Sequence, residues 1–389
     1  MSNLTFLIYL DACRYDYISE ANMPFLYDLV HRGYLNRVKT VPGFTQETAM
    51  MTGKFPVETD HFTWYRYAPK TSPFKWLKPF GIFRNLPSFR FYGPIKVGIR
   101  TATRLITGRR YPDPAHIPLD LLPYFERIAP KSLRHLPDLY SICRSSGHTY
   151  YDLMYIYNFI NTKRCNDMFQ TICKSIEEGI AYDLYLIHVG ELDILGHRFG
   201  ARPELFVSYL REIDAWIREL YELTHRHGHT CSLVVVSDHG MMNVKGAVDI
   251  TNKLSQLKLR LHKDYLYFLD STMARFWFMN KQAQREVEAM LQTIPHGHII
   301  SPTEKNELHI NFQHNQYGDL LFWLEEGYII FPNFFQANNS NMPKGMHGYM
   351  NDTDGALVIY SDDKTVKENL KDPVPLVDVF SVVLELAGF

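Results

Sequence analysis

Four short apolar runs punctuate the chain: Leu4–Leu10, Leu184–Val189, Leu233–Val236 and Ala356–Tyr360. A strand with one wet face alternates apolar and polar positions, whereas a strand covered on both faces reads as a continuous run. Stretches with helical spacing lie between these runs. The longest, Pro203–His225, opens on Pro203-Glu204 and sets Leu205, Tyr209, Ile213, Trp216 and Leu220 along one face. A second amphipathic helix is expected over Pro375–Leu386, packed back on the sheet. The alternation predicts an α/β fold with a mostly parallel central sheet flanked by helices. The chain shows no internal repeat and no low-complexity linker.

Two segments interrupt this rhythm. Between about 256 and 342 the runs Tyr265–Leu269, Ala274–Met279, Gln282–Leu291 and Asp319–Phe322 predict a small α/β insertion between two core strands. From His61 to Pro112 there is no Asp or Glu. Lysines and arginines from Arg66 to Arg110 alternate there with aromatics from Trp64 to Tyr92. The expected organisation is therefore a core of 1–62, 141–255 and 343–389, a basic and aromatic insertion over 63–140, and a cap insertion over 256–342.

Composition narrows the class without naming a chemistry. At 389 residues, 46% hydrophobic and 21% charged, the chain is an ordinary folded protein with room for a core and large insertions. A net charge of −1 selects no class of partner. Cys13, Cys143, Cys165, Cys173 and Cys231 are odd in number and scattered, the usage expected of reduced thiols rather than a disulfide or zinc framework. The start, Met1-Ser2-Asn3-Leu4-Thr5, carries no charged leader, and no apolar run reaches membrane-spanning length. These features set the expectation of a soluble cytoplasmic protein.

Candidate chemistry collects at the strand ends. Leu4–Leu10 runs into Asp11, and Leu184–Val189 into Glu191, Asp193 and His197. Leu233–Val236 runs into Asp238 and His239, and the loop before Ala356–Tyr360 holds His347. Sites in open parallel sheets form beyond the carboxyl ends of strands, so these groups are placed to converge. Asp193 and His197, four apart, share one face of a helix. Imidazole and carboxylate are ligands for zinc, and also for manganese or iron. His188, His225, His227 and His229 lack such a setting and read as structural. A hydroxyl nucleophile is sought in the stretch from Val41 to Gly53, where Thr45 stands at the expected start of a helix. The helix dipole and a divalent metal would both lower its pKa, while a plain N-cap explains it equally well.

The ordered set Asp11, a threonine followed by "TGKFP", "ELDILGH", "SDHGM" and "GMHGY" resembles the alkaline phosphatase superfamily, in its branch of type I phosphodiesterases and nucleotide pyrophosphatases. The segments "DSTMARFWF" and "YGDLLFWLEEGYIIFP" are similar to the region preceding that branch's last metal-binding histidine. The resemblance spans most of the chain outside about 63–140. It implies an alkaline phosphatase-like fold and two divalent metal ions, zinc before manganese or iron. Asp193, His197 and His347 would hold one ion. Asp11, Asp238 and His239 would hold the other, together with the nucleophile Thr45. A covalent phospho-threonine would form, and the second metal would activate the water that releases it. Here the chain departs from the pattern: the family nucleophile falls about two residues further upstream, where this chain has Gly43. Thr45 is then the best hydroxyl available and Thr48 the next, and Gln46 stands in for the asparagine that usually binds a phosphate oxygen.

The basic and aromatic segment 61–112 fits a solvated face, or a cap touching an anionic membrane surface, better than a nucleic-acid groove. The membrane-surface cap would suit a lipid-linked phosphate, and the stretch "PGFTQETAMMTGKFPVETDHFTWY" also resembles predicted phosphodiesterases encoded with bacterial surface-polysaccharide functions, which points to glycan-linked phosphates. A phosphomonoesterase or phosphotransferase shares the scaffold. A catalytically silent, metal-stabilised binding protein is the alternative from another class. The C/S-x-P-x-R signature of sulfatases is absent. Oligomeric state has no signature in the chain.

Overall fold

The computed structural model describes residues 2–78, 97–98, 101, 116–128, 136–154, 162–336, 342–364 and 370–389. Its seven-stranded sheet is built from β1 (Asn3–Leu10), β2 (Tyr34–Lys39), β3 (Tyr150–Leu153), β4 (Leu184–Val189), β5 (Thr230–Val236), β6 (Gly355–Ser361) and β7 (Val374–Pro375). The spatial order is β7-β2-β6-β5-β1-β4-β3. All neighbours pair in parallel except β6, which is antiparallel to both β2 and β5. The apolar runs occupy the middle of this sheet: Leu4, Phe6, Leu7, Ile8 and Leu10 of β1 are all buried, as a strand covered on both faces demands.

The reversed strand matters for the site. Because β6 runs against its neighbours, its first residue lies at the carboxyl edge of the parallel strands. The loop before it, with His347, therefore arrives at the edge where β1, β4 and β5 end.

Helices that flank the sheet or supply residues near its carboxyl edge include α1 (Gln46–Thr52), α2 (Glu191–Phe199), α3 (Val207–Arg226) and α4 (Val379–Ala387). In α3 the residues Tyr209, Leu210, Ile213, Trp216, Ile217 and Leu220 are buried at helical spacing. Leu205, expected on that face, is 51% exposed, because Pro203–Leu205 forms a separate 3-10 turn before the helix. The carboxyl-terminal helix also starts later than its pattern suggested. Val374–Pro375 first pairs beside β2, as a proline can at a sheet edge, and α4 begins at Val379. The five cysteines are buried free thiols. Among the described residues no helix is long and apolar enough to cross a membrane.

The insertion between β5 and β6 forms a four-stranded antiparallel sheet of Tyr265–Leu269, Met273–Phe278, Leu320–Leu324 and Gly297–Ile299. The helix Lys281–Gln292 lies on it through Ala283, Val287 and Leu291. The described part of the basic segment shares this core: Tyr65, Phe74, Leu77, Leu121 and Phe125 pack with Leu266, Phe268 and Trp277. Most of 61–112, the segment expected to meet a membrane, lies outside the described residues.

A fully buried ion pair joins the two segments. The Arg275 guanidinium lies 2.7 Å from Asp270, donates to the Tyr65 carbonyl at 2.8 Å and covers the Phe268 ring. Thr63 donates to the other Asp270 oxygen at 3.1 Å. Removing one partner strands a buried charge, so Arg275→Met should cost about 3–5 kcal/mol of stability in denaturant unfolding. Changing both Arg275 and Asp270 to apolar residues should recover most of it. A loss under about 1 kcal/mol in the single variant would show that the pair holds nothing together.

Candidate active site

Three carboxylates and three imidazoles meet at the carboxyl edge of the sheet. Asp11 follows β1 directly, and Asp238 and His239 follow β5. Asp193 sits in the first turn of α2, one turn before His197, and the two approach to 3.3 Å. His347 reaches the same Asp193 Oδ1 at 3.3 Å from the loop before β6. Its ring stacks on His239 with centroids 3.7 Å apart and 5° between planes.

Two sets of ligand atoms lie close enough to share a cation: Asp193, His239 and His347, and Asp11, Asp238 and His239. These groups contain five of the seven predicted ligand residues, and neither includes His197 or Thr45. His239 belongs to both groups, and His197 approaches through Asp193.

The donors are arranged for a positive guest. His239 Nδ1 donates to the Gly240 carbonyl at 2.8 Å, which leaves Nε2 facing Asp11 Oδ1 at 3.4 Å and Asp238 Oδ2 at 3.5 Å. His197 Nδ1 donates to the Gly345 carbonyl at 2.9 Å, which turns its Nε2 to Asp193. A second-ring hydrogen bond of this kind fixes the tautomer of a metal-binding histidine. Asp238 Oδ1 and His347 Nδ1 are buried without a hydrogen-bond partner among the described residues, and Asp193 Oδ1 has the two imidazole approaches but no hydrogen bond. Buried polar atoms are rarely left so unless something else satisfies them.

Charge in the site follows the same logic. Burial, then the charges of Asp238 and Asp193, hold the Asp11 carboxyl well above the usual range. Burial also raises Asp238. His239 is pulled down by burial but more strongly up by Asp238, Asp11 and Asp193, and ends at about 9. His347 is driven well down by burial and by His239 and His197. A proton on His239 Nε2 takes the place a cation would fill, and a neutral His347 keeps a lone pair for one.

Close approach and buried anchors hold the pieces in place. A Cβ at Gly345 would lie 2.3 Å from the Gly196 carbonyl oxygen, and one at Gly196 would lie 2.6 Å from Met241. Only glycine lets the His347 loop and α2 touch. The Gly348 carbonyl accepts from Thr272 Oγ1 at 2.6 Å and from Trp323 Nε1 at 2.9 Å, so the cap sheet grips the same loop. Asp352, buried beside His239, accepts the Gly240 N–H through both oxygens at 3.1 Å.

The region of the expected nucleophile is built differently. Thr45 is the residue before α1, and Gly53 ends that helix with a left-handed backbone. Thr45 Oγ1 donates to the His61 carbonyl at 2.9 Å, and Thr48 Oγ1 lies 2.7 Å from His61 Nδ1. Burial and the charges of Arg127 and Arg66 lower His61 to about 3, so its ring is neutral. The Gln46 amide donates to the Gly43 carbonyl at 2.8 Å, which commits it to the turn. Gly43 has φ +106°, and a Cβ there would fall 2.0 Å from the Phe62 carbonyl oxygen. No hydroxyl residue can stand at Gly43 in this backbone.

Sequence reading passed over some residues that the fold brings to the site. His188, read as structural, lies 3.3 Å from Asp11 Oδ2. Glu47, in the first turn of α1, acts electrostatically on both Asp11 and His188. Within β4 the sequence offered no signal for His188 beyond a polar residue one position before the strand's end.

The sequence model described as type I phosphodiesterase / nucleotide pyrophosphatase matches residues 126–350, more than half of the chain. No curated protein sequence matches it. Among solved structures, human ectonucleotide pyrophosphatase / phosphodiesterase 5 is similar over 99% of this chain and 95% of its own, at TM-score 0.66 and 14% identity. The murine counterpart, in an inactive form in complex with AMP, is similar over 100% and 96%, at TM-score 0.66 and 16% identity. At these identities the solved structures establish the shared fold, and the sequence model supplies the family. The chain therefore belongs to the type I phosphodiesterase / nucleotide pyrophosphatase family of the alkaline phosphatase superfamily, and it is a phosphoester hydrolase.

Proposed function

We propose that this phosphodiester hydrolase works with two divalent cations, zinc before manganese or iron, and with Thr45 as nucleophile. Asp11, Asp238 and His239 would hold one cation, and Asp193, His197 and His347 the other. The observation that carries this reading is the pair of ligand groups joined through His239. Bound there, the cations would supply Lewis-acid stabilisation of charge on the phosphoryl group and its leaving oxygen. Thr45 would leave the His61 carbonyl, lose its proton and attack phosphorus as the P–O bond to the leaving alkoxide breaks and that oxygen takes up a proton. Water would then cleave the phospho-threonine, releasing the phosphomonoester and restoring the hydroxyl.

Lipid- or glycan-linked phosphodiesters are the proposed substrates, since the acid-free segment 61–112 suits an anionic membrane or a bulky phosphate. A nucleotide-containing diester also fits, given the AMP complex of the murine relative. One observation favours the catalytically silent alternative: the hydroxyls of Thr45 and Thr48 are both engaged at His61.

Turnover of bis-p-nitrophenyl phosphate against the monoester, with zinc or manganese, separates the readings. Diester preference is expected. Monoester preference would favour a phosphomonoesterase, and silence with bound metal the binding protein. Thr45→Ala should lower kcat roughly 10³-fold or more while leaving metal content intact. Full activity in that variant would move the nucleophile elsewhere.

Metal removal should leave a pH signature. His239 sits at about 9 in the folded metal-free protein against an ordinary 6.5, so the folded state holds the extra proton. That stability is fully present below about pH 6.5 and is lost as pH rises toward 9. The raised Asp11 and Asp238 carboxyls act in the same direction. The unfolding midpoint of metal-free protein should fall across this window, and saturating zinc should raise it and flatten the dependence. A midpoint that zinc leaves unchanged would argue against a metal centre.

A further inference from the structure

We propose that His188 is a positioning residue that anchors one oxygen of Asp11 and thereby presents the other to a cation. The inference rests on the two-cation reading above. Asp11 carries two oxygens with different neighbours. Oδ1 faces His239 Nε2 at 3.4 Å, inside a ligand group, while Oδ2 faces His188 Nε2 at 3.3 Å. His188 is outside both ligand groups formed by the described residues.

The two contacts differ in kind. His239 spends its Nδ1 hydrogen on Gly240, so its Nε2 is open to a proton or a metal. An Asp11 carboxylate ionised by a bound cation can only accept, so the His188 contact then requires the hydrogen to sit on Nε2 of that ring. His188 therefore donates to Asp11 and has no lone pair on that nitrogen to offer a cation.

The ring is well held for this task. His188 and Tyr9 are register partners on β4 and β1, and their rings stack with centroids 4.4 Å apart. Asp11 comes two residues after Tyr9, so the strand pair that aligns the rings also aligns the carboxylate. On the far side a Cβ at Gly190 would lie 3.3 Å from His188 Cε1 and 4.0 Å from Asp11 Oδ2. A larger residue at 190 would press on the His188 ring and touch the carboxylate. Without the anchor, Asp11 could turn about its side-chain torsions and present either oxygen, and an ordered ligand would become a mobile one. Loss of an outer hydrogen bond of this type typically weakens metal binding roughly 10–100-fold.

Zinc titration of the metal-free protein tests the assignment without reference to turnover. His188→Phe keeps a ring against Tyr9 and removes the donor. It should weaken one of the two sites roughly 10–100-fold and leave the other at its wild-type affinity. Asp11→Asn should weaken the same site, and combining the two changes should add little. His188→Gln, which retains an N–H donor, should restore much of the affinity. His188→Met replaces the phenylalanine variant if that ring disrupts packing. Wild-type affinity at both sites in the donor-free variant would overturn the inference alone. Wild-type protein that binds no zinc would overturn the two-cation reading and this inference with it.

Discussion

The structure is organised around an unfavourable concentration of negative charge. Asp11, Asp193 and Asp238 approach one another at the end of a buried sheet, where each charge loses the solvation water would provide. A proton on His239 answers part of that cost at Asp11 and Asp238, while His197 and His347 both approach Asp193. The carbonyls of Gly240 and Gly345 then fix which nitrogen each of two rings turns inward. A site assembled this way stores affinity for positive charge in its geometry, and cations are the natural completion of it.

Sheet topology sets where that charge can gather. Parallel strands deliver Asp11, the α2 residues and the Asp238–His239 pair to one edge. Antiparallel β6 allows a loop that precedes a strand to reach the edge that the other loops follow. The cap completes the arrangement. Thr272 and Trp323 hold the carbonyl of Gly348, so the sheet inserted between β5 and β6 fixes the loop that carries His347. The buried Arg275–Asp270 pair fastens that cap to residues 63–65. A perturbation far from the ligands can therefore reach them through a few buried hydrogen bonds.

The segment around α1 obeys a separate constraint. Gly43 lies against the Phe62 carbonyl, Thr45 bonds the neighbouring His61 carbonyl, and Thr48 bonds the His61 ring. The turn into α1 is thus closed upon residues 61 and 62, and hydroxyl chemistry there is tied to how readily one of these bonds opens. In the same helix Glu47 acts electrostatically on the carboxylate cluster. The helix consequently divides its polar side chains between two tasks, one local and one directed at the site.

Continuous apolar runs determined the central strands, since burial on both faces leaves no room for alternation. The order of Asp and His after those runs marked the candidate ligands, because strand ends in a parallel sheet share an edge. Local pattern failed where a neighbour decided the outcome. Leu205 carries the spacing of the α3 face but sits in a preceding 3-10 turn, and Val374–Pro375 pairs with β2 instead of starting a helix. His188 is the sharpest case. By itself it is one polar residue in an apolar strand, and nothing within β4 distinguishes it. Its contact with Asp11 exists only because two parallel strands lie in register, a relation between residues 177 positions apart. The sequence by itself therefore determined which chemical groups were available and which strands carried them. Tertiary structure alone decided which oxygen, nitrogen and carbonyl face each other, because those contacts depend on distances that no local pattern encodes.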